Sequence, residues 1–296
     1  MSWYLKNRYG AKCAKIPLNA GFTCPNRDGT KSVSGCTFCS ARGSGDSILA
    51  FEKPLKEQYD QNLKRILNKW PNARGIPYFQ SFSNTYGSLE KLRAIYLPFL
   101  EDPDIFCICI ATRADCLHED FVKWISGYDK DIWIELGLQS SNEETGRLIN
   151  RGYSTKEVEE ALQLLKKYGI YSCVHLINSL PGEDHETMMN SARWVAEHHP
   201  DALKIHMLHM IKNTKMADDY LLGEFELMDQ EDYCSLVCDQ LEILPEDMVI
   251  ERITGDGIQK DLIAPLWTVK KTAVANRIDQ MLYERNSWQG KFFKNE

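Results

Sequence analysis

Short apolar runs alternate along the chain with amphipathic stretches, at the spacing of a strand followed by a helix. The runs predict six strands, at 16–22, 76–82, 105–112, 132–138, 170–177 and 202–210. The clearest helix lies at 155–168: Ser154 and Glu157 form a capping box, Val158, Ala161, Leu162 and Leu165 make one apolar stripe, and Gly169 ends it. A second, at 183–198, carries Met188, Met189, Ala192 and Val195 on one face. Strand–helix alternation implies a parallel sheet with crossover helices, and near-continuous apolar strands suit a sheet covered on both faces. Six such units predict an α/β fold, a partial (β/α)6 TIM-like barrel spanning residues 1–215. In that architecture reacting groups gather at the C-terminal ends of the strands. Beyond 215 the pattern changes to a helix at 229–244 closed by Pro245, a short strand at 248–253 and a helix at 268–284, together expected as a C-terminal α/β extension, 216–296, packed on the barrel.

Composition narrows the classes. A chain of 296 residues with net charge −7 and 43% hydrophobic residues can bury a sizeable core, which excludes a disordered tail or a disulfide miniprotein. No apolar run approaches the roughly 18 residues that cross a bilayer, and the N-terminus does not read as a signal peptide, so a soluble cytoplasmic chain is expected. Ten cysteines in a reducing compartment point to metal ligation, chemistry or burial. Charge is uneven: residues 1–75 hold 13 Lys and Arg against 5 Asp and Glu. Trp3, Tyr4 and Tyr9 among Lys6, Arg8, Lys12 and Lys15 are expected as an arm that contacts phosphate and stacks on bases.

The most informative stretch is Cys24-x11-Cys36-x2-Cys39, directly after the first strand. A Cys-x2-Cys pair places two sulfurs around one metal or on two corners of a cluster, and a glycine-containing loop lets the third join them. Three thiolates on a four-iron cluster leave one iron open. The competing reading is a structural zinc site completed by Cys13 or a distant His, although zinc loops more often bring two such pairs.

The loop and Phe38 beside its last cysteine resemble the radical S-adenosylmethionine superfamily. More narrowly, Asn19-Ala-Gly-Phe-Thr-Cys-Pro-Asn-Arg-Asp-Gly resembles the YtqA/YhcC-like branch, whose radical domain is similar to that of the elongator catalytic subunit. The long first gap departs from the common Cys-x3-Cys-x2-Cys spacing, as that branch does. Tyr78-Phe-Gln-Ser-Phe-Ser-Asn-Thr-Tyr86, Ile110-Ala-Thr-Arg-Ala-Asp-Cys116, Glu135-Leu-Gly-Leu-Gln-Ser, Asn150-Arg-Gly-Tyr, the segment from His175 to Glu183, and Lys204-Ile-His-Met-Leu-His209 continue the likeness.

The resemblance implies that Cys24, Cys36 and Cys39 hold a 4Fe-4S cluster whose open iron chelates S-adenosylmethionine, the source of a 5′-deoxyadenosyl radical. Gln80, Ser83 and Asn84 would then meet the methionine ammonium. Glu135, costly to bury alone inside an apolar strand, would accept from ribose hydroxyls or the ammonium, unless a salt bridge accounts for it. Gln139 would serve the ribose, and Arg151 would clamp the methionine carboxylate. Pro181-Gly-Glu183 would line the adenine through its backbone. His175 and His206 read as core residues that the resemblance alone raises to site candidates.

Cys107, Cys109, Cys234 and Cys238 are expected to be buried packing thiols. Cys116, after the third strand, is a candidate to donate a hydrogen atom or hold an intermediate, and Cys13 either shields the cluster or is inert. The resemblance further implies a tRNA partner modified at a wobble uridine, with the 5-carboxymethylaminomethyl group, 2-thiolated or not, remodelled toward aminomethyl. An external one-electron reductant and a downstream tRNA methyltransferase complete the implied partners. The length leaves no room for an acetyltransferase domain, and no second cysteine triplet suggests methylthiolation. The competing readings are a radical enzyme on a small molecule or protein, and a non-catalytic iron–sulfur or zinc RNA-binding module.

Overall fold

The computed structural model describes residues 1–43, 45, 48, 52–255 and 259–294. Nine strands occur among them: β1 (Cys13–Leu18), β2 (Arg74–Phe79), β3 (Cys107–Thr112), β4 (Asp131–Gln139), β5 (Tyr171–Asn178), β6 (Ala202–Met207), β7 (Met210–Ile211), β8 (Val249–Arg252) and β9 (Leu262–Ala264). The helices are α1 (Ser2–Tyr9), α2 (Leu55–Lys69), α3 (Leu89–Leu100), α4 (Glu119–Ile125), α5 (Glu143–Leu148), α6 (Thr155–Lys167), α7 (His185–His198), α8 (Lys215–Leu221), α9 (Gln230–Ile243) and α10 (Lys271–Glu284). One seven-stranded sheet runs in the order β1-β2-β3-β4-β5-β6-β8, and β7 and β9 form a separate antiparallel pair.

All six expected strands are present, with shifted ends. β1 begins earlier, at Cys13, because Cys13-Ala-Lys-Ile-Pro-Leu alternates polar and apolar positions instead of forming a continuous apolar run. It stops at Leu18, where the Gln58 side chain takes over the Asn19 backbone. The expected strand at 202–210 divides: β6 ends at Met207, and Met210 pairs with Ala264. The segment beyond 215 gives the main sheet its seventh strand, β8, parallel to β6.

The chain resolves into two compact units. The first comprises 1–33, 42–137 and 156–173. Here β1, β2, β3 and β4 pair parallel and in register. Phe79 of β2 meets Tyr96 and Phe99 of α3 edge-on, with centroids 4.8 and 5.2 Å apart. The predicted stripe of α6, Val158, Ala161, Leu162 and Leu165, is buried, and each large side chain contributes about 1.5–3 kcal/mol.

The basic N-terminal segment expected as an RNA arm is tied to the protein on one side, while Lys6, Arg8 and Lys12 stay exposed. α1 sits by the N-terminal ends of strands, where Arg8 grips Asp131 through two bonds of 2.6 and 2.7 Å and the Tyr9 hydroxyl donates to the same carboxylate. Tyr4 lies edge-on to Trp133, and Lys12 lies 3.6 Å from the centroid of the Trp70 ring. Of the aromatic residues proposed for the arm, Trp3 is the one left largely to solvent. Burial would raise the Asp131 carboxyl, but Arg8 and Tyr9 outweigh it and hold it below the usual range. A carboxyl depressed in the folded state stabilises above its unfolded pKa, and that gain is lost as pH falls through the folded value. Arg8→Ala should therefore cost about 1 kcal/mol near neutrality, the partial exposure of both groups keeping the figure small. The gap to the parent protein should close as pH falls below the usual carboxylate range, read as urea midpoints across pH.

The second unit comprises 34–41, 138–155 and 174–296. Its β6–β8 pair joins α7, α9 and α10, and Cys234 and Cys238 of α9 are buried with their sulfurs toward the Val274 and Ile278 carbonyls. A second apolar cluster gathers Ile149, Leu180, Leu208, Met210, Met216 and Ala217, with Phe38 packed against it.

Candidate active site

In the first unit the loop after β1 bends through Gly21, whose φ of 69° is left-handed and suits glycine. The Cys24 carbonyl accepts from the backbone N–H groups of Arg27 and Asp28, fixing a turn at the first cysteine of the triplet. Three side chains unread in the sequence stand beside it. Arg113, just after β3, directs Nη1 at Cys24 Sγ at 3.8 Å, and grips Asp115 through bonds of 2.8 and 2.9 Å. Lys31 reaches the same carboxylate at 2.7 Å. Burial works to raise the Asp115 carboxyl, yet the two cations hold it below its ordinary range. A donor aimed at a ligand sulfur is the kind of outer contact that orients and tunes a metal centre. The signal was present in Ile110-Ala-Thr-Arg-Ala-Asp-Cys116, where two opposite charges follow a buried strand directly.

Cys116 is buried, its sulfur 3.8 Å from Asp115 Oδ1. Burial, then the Asp115 charge, pushes its thiol up to about 12. At neutral pH it keeps its hydrogen, which suits a hydrogen-atom donor and not a nucleophile.

Ser83 and Asn84 follow β2 and are fully buried. The Asn84 amide donates to the carbonyls of Phe79, Ser81 and Ala111. Asn84 Oδ1 and Ser83 Oγ have no partner among the described residues. Two orphaned buried acceptors are costly unless a donor completes them, and a ligand ammonium is such a donor. Gln80 stands half-buried just before them, its N–H bonded to the Leu18 carbonyl at 3.2 Å.

Glu135 is buried on β4, but its carboxylate is engaged within the protein: Lys15 Nζ lies 2.5 Å from Oε1, and the Tyr78 hydroxyl donates to Oε2 at 2.7 Å. The salt bridge weighed against its cofactor role is thus present, with a lysine as partner.

In the second unit the Cys-x2-Cys pair is tied down at both ends. Cys39 N–H donates to the Cys36 carbonyl, Thr37 N–H to Ile149, and Met216 N–H to the Thr37 carbonyl. Asn150 Nδ2 donates to the Gly35 carbonyl at 2.7 Å. Both cysteines remain partly exposed.

Arg151, expected to clamp a carboxylate, is 1% exposed and faces its own backbone. It donates to the carbonyls of Tyr153, Leu138 and Ser140 at 2.8, 2.9 and 2.7 Å, with Glu143 and Thr155 at 3.3 Å. Gly146 makes room, since a Cβ there would come within 3.0 Å of the guanidinium. With its fork engaged in this way, Arg151 holds the end of β4 in place.

Gln139, at that end, takes a φ of 61°, and Ser179, just after β5, a φ of 71°. Non-glycine residues held left-handed store strain of about 1–3 kcal/mol and concentrate at ligand sites. Gln139 Oε1 accepts from Tyr153 OH at 3.4 Å. Glu183, expected to act through backbone alone, also receives the Ser140 hydroxyl, and burial raises its carboxyl. His175 on β5 faces His206 on β6, with ring centroids 5.6 Å apart.

Cys13 opens β1, whereas Cys24 follows its end, and a six-residue strand spans roughly 17 Å. Among the described residues no three His, Cys, Asp or Glu side chains converge as ligands of one metal ion. A four-iron cluster distributes its thiolates over separate irons.

The Radical SAM superfamily model matches residues 22–195, and the Radical_SAM C-terminal domain model matches 200–284. The chain belongs to the radical S-adenosylmethionine superfamily, and its cofactors are a 4Fe-4S cluster and S-adenosylmethionine. It is 43% identical to YtqA of Bacillus subtilis (strain 168), covering 99% of this chain and 92% of that protein. A tRNA uridine(34) acetyltransferase of Dehalococcoides mccartyi is 26% identical over 57% of this chain, which spans 37% of that protein. Among solved structures, an N-terminally truncated Elp3 of Methanocaldococcus infernus superposes with a TM-score of 0.71 at 17% identity, over 94% of this chain and 64% of that one. This likeness establishes the fold, the partial barrel of radical S-adenosylmethionine enzymes. Among the described residues no helix is long and apolar enough to cross a membrane.

Proposed function

We propose that the protein is a cytoplasmic tRNA-modifying enzyme that converts the 5-carboxymethylaminomethyl group of a wobble uridine, with or without a 2-thio group, toward 5-aminomethyl. The observation that supports this best is the likeness to a tRNA uridine(34) acetyltransferase. When bound, the cluster and S-adenosylmethionine supply a 5′-deoxyadenosyl radical that removes a hydrogen atom from substrate. A carbon between nitrogen and carboxylate gives a stabilised radical when it loses that hydrogen atom.

In this reading Cys24, Cys36 and Cys39 ligate the cluster, and Arg113 orients Cys24. Ser83 Oγ and Asn84 Oδ1 accept from the methionine ammonium, with Gln80 beside them. Gln139 and His175 line the cofactor from β4 and β5, Glu135 acts through Lys15 and Tyr78 as a positioning group, and Cys116 offers a hydrogen atom. Residues 1–215 carry the radical chemistry, and 216–296 form the extension that lends β8 to the sheet. A one-electron reductant and a later tRNA methyltransferase are the implied partners.

The test is nucleoside analysis of tRNA from cells with and without the gene, paired with anaerobic turnover. Loss of the gene should leave the carboxymethylaminomethyl form accumulated and the aminomethyl form missing; unchanged wobble uridines would sink the tRNA assignment. Cys116→Ala should abolish product while 5′-deoxyadenosine still forms. Full product yield would remove Cys116 from the chemistry.

A further inference from the structure

Two stretches of this acidic chain hold no Asp or Glu, residues 1–27 and 61–89. The parallel pairing of β1 with β2 sets them side by side: Cys13 is in register with Arg74, and the Arg74 N–H donates to the Lys12 carbonyl at 2.8 Å. The end of α2 reaches the same place. Trp70, its C-cap, has the Lys12 ammonium 3.6 Å and the Lys69 ammonium 4.8 Å from its ring centroid. An aromatic face holds a cation in position and leaves its charge in place.

Lys64, Arg65 and Lys69 are exposed on α2, which turns Gln58, Tyr59 and Asn62 into the protein. Arg65 and Lys69 stand about 6 Å apart along the helix axis. The two acids of α2, Glu57 and Asp60, belong to its first half, where Lys56 lies 3.6 Å from Asp60. None of Lys12, Lys64, Arg65 and Lys69 pairs with a carboxylate among the described residues. Surface cations elsewhere do so: Lys156 with Glu160, Lys167 with Glu119, Arg193 with Glu186 and Lys215 with Asp219.

A row of cations without internal carboxylates fits a partner that brings repeated negative charge, such as a nucleic-acid backbone. Position separates this partner from a protein electron donor. The face lies at the start of β1, roughly 17 Å along that strand from the end leading to Cys24, whereas a donor must approach the cysteine loop. An RNA substrate is long enough to place one base at the reacting centre and its phosphates here. Contacts to phosphate fix where an RNA sits without reading its bases.

We propose that the second half of α2, with Lys12 beside it, is the face that receives the phosphate backbone of the tRNA at a distance from the modified base. The proposal rests on the reading of the substrate as tRNA and deepens it. It moves the main RNA contact from the N-terminal helix to Lys64, Arg65 and Lys69, with Lys12 held against Trp70.

The test measures affinity of the anaerobically reconstituted protein, with S-adenosylmethionine but no reductant, for full-length tRNA across a salt series. Two forms of the tRNA are used, one carrying the carboxymethylaminomethyl group and one unmodified. The triple variant Lys64→Gln, Arg65→Gln, Lys69→Gln should bind both forms about tenfold or more weaker at low salt, by the same factor, and lower the slope of log K against log salt by about 2–3. A control triple, Lys156→Gln, Lys167→Gln, Lys215→Gln, removes the same charge from cations that the protein already pairs, and should keep the parent slope. All six side chains are exposed, and urea midpoints confirm that both variants fold. An unchanged slope in the folded α2 variant, or an equal loss in the control, overturns the face. So does an α2 variant that binds tRNA as the parent does but is reduced more slowly by a protein electron donor than by dithionite. The wobble-uridine reading is judged apart, by the tRNA nucleoside profile, which can fail while the salt slope still marks an RNA-binding face.

Discussion

Arg151→Met should destabilise the protein by about 4 kcal/mol, out of a typical total of about 5–15. The guanidinium satisfies three buried carbonyls, and each one orphaned costs about 1–3 kcal/mol, partly recovered by relaxation. Arg151→Lys should recover less than half of the loss, because an ammonium cannot reproduce the planar fork that Gly146 accommodates. The measurement is the urea midpoint of each variant, with S-adenosylmethionine affinity determined alongside. A variant with an unchanged midpoint and a weakened cofactor would restore the carboxylate clamp and remove the structural role.

Arg151 also shows where sequence reading reached its limit. Its motif was legible, and so was its place after β4. What the side chain does was not, because the choice between ligand and backbone depends on carbonyls at 138, 140 and 153, the first two flanking the left-handed turn at Gln139. The same limit explains α1. Basic and aromatic residues interleaved near the N-terminus read as a surface for RNA, but Arg8 finds its carboxylate 123 positions away. Lys15 and Glu135 stand 120 residues apart and meet only because parallel strands bring β1, β2 and β4 into one sheet.

Local periodicity, by contrast, carried well. The α6 stripe and the apolar face of α7 are set by neighbours within a few residues, and those were read correctly. The polar face of β5, β6 and β8 fell between the two cases. His175 and His206 each stood out as polar residues within apolar runs, but a lone strand histidine is usually a satisfied core residue. Only the register of Lys204 with Arg252, which a bulge sets, brings further polar residues beside them.

Cys24→Ala, Cys36→Ala and Cys39→Ala should each abolish cluster assembly and with it 5′-deoxyadenosine formation, whereas Cys13→Ala should retain both. The distinction follows from position. Cys24 lies in a turn beside Arg113, and Cys36 and Cys39 lie in a turn anchored through Thr37 to Ile149 and Met216, so the loops are shaped around these sulfurs. Cys13 starts β1, in register with Arg74, and burial raises its thiol. That strand carries its sulfur away from the loop at the other end. Iron content after anaerobic reconstitution, with the charge-transfer absorption of the cluster, reads the outcome without relying on turnover. Full iron retention in any one of the three loop variants would break the ligand assignment. Iron loss in Cys13→Ala comparable to that in Cys24→Ala would instead favour a four-cysteine site, and with it a binding module over a radical enzyme.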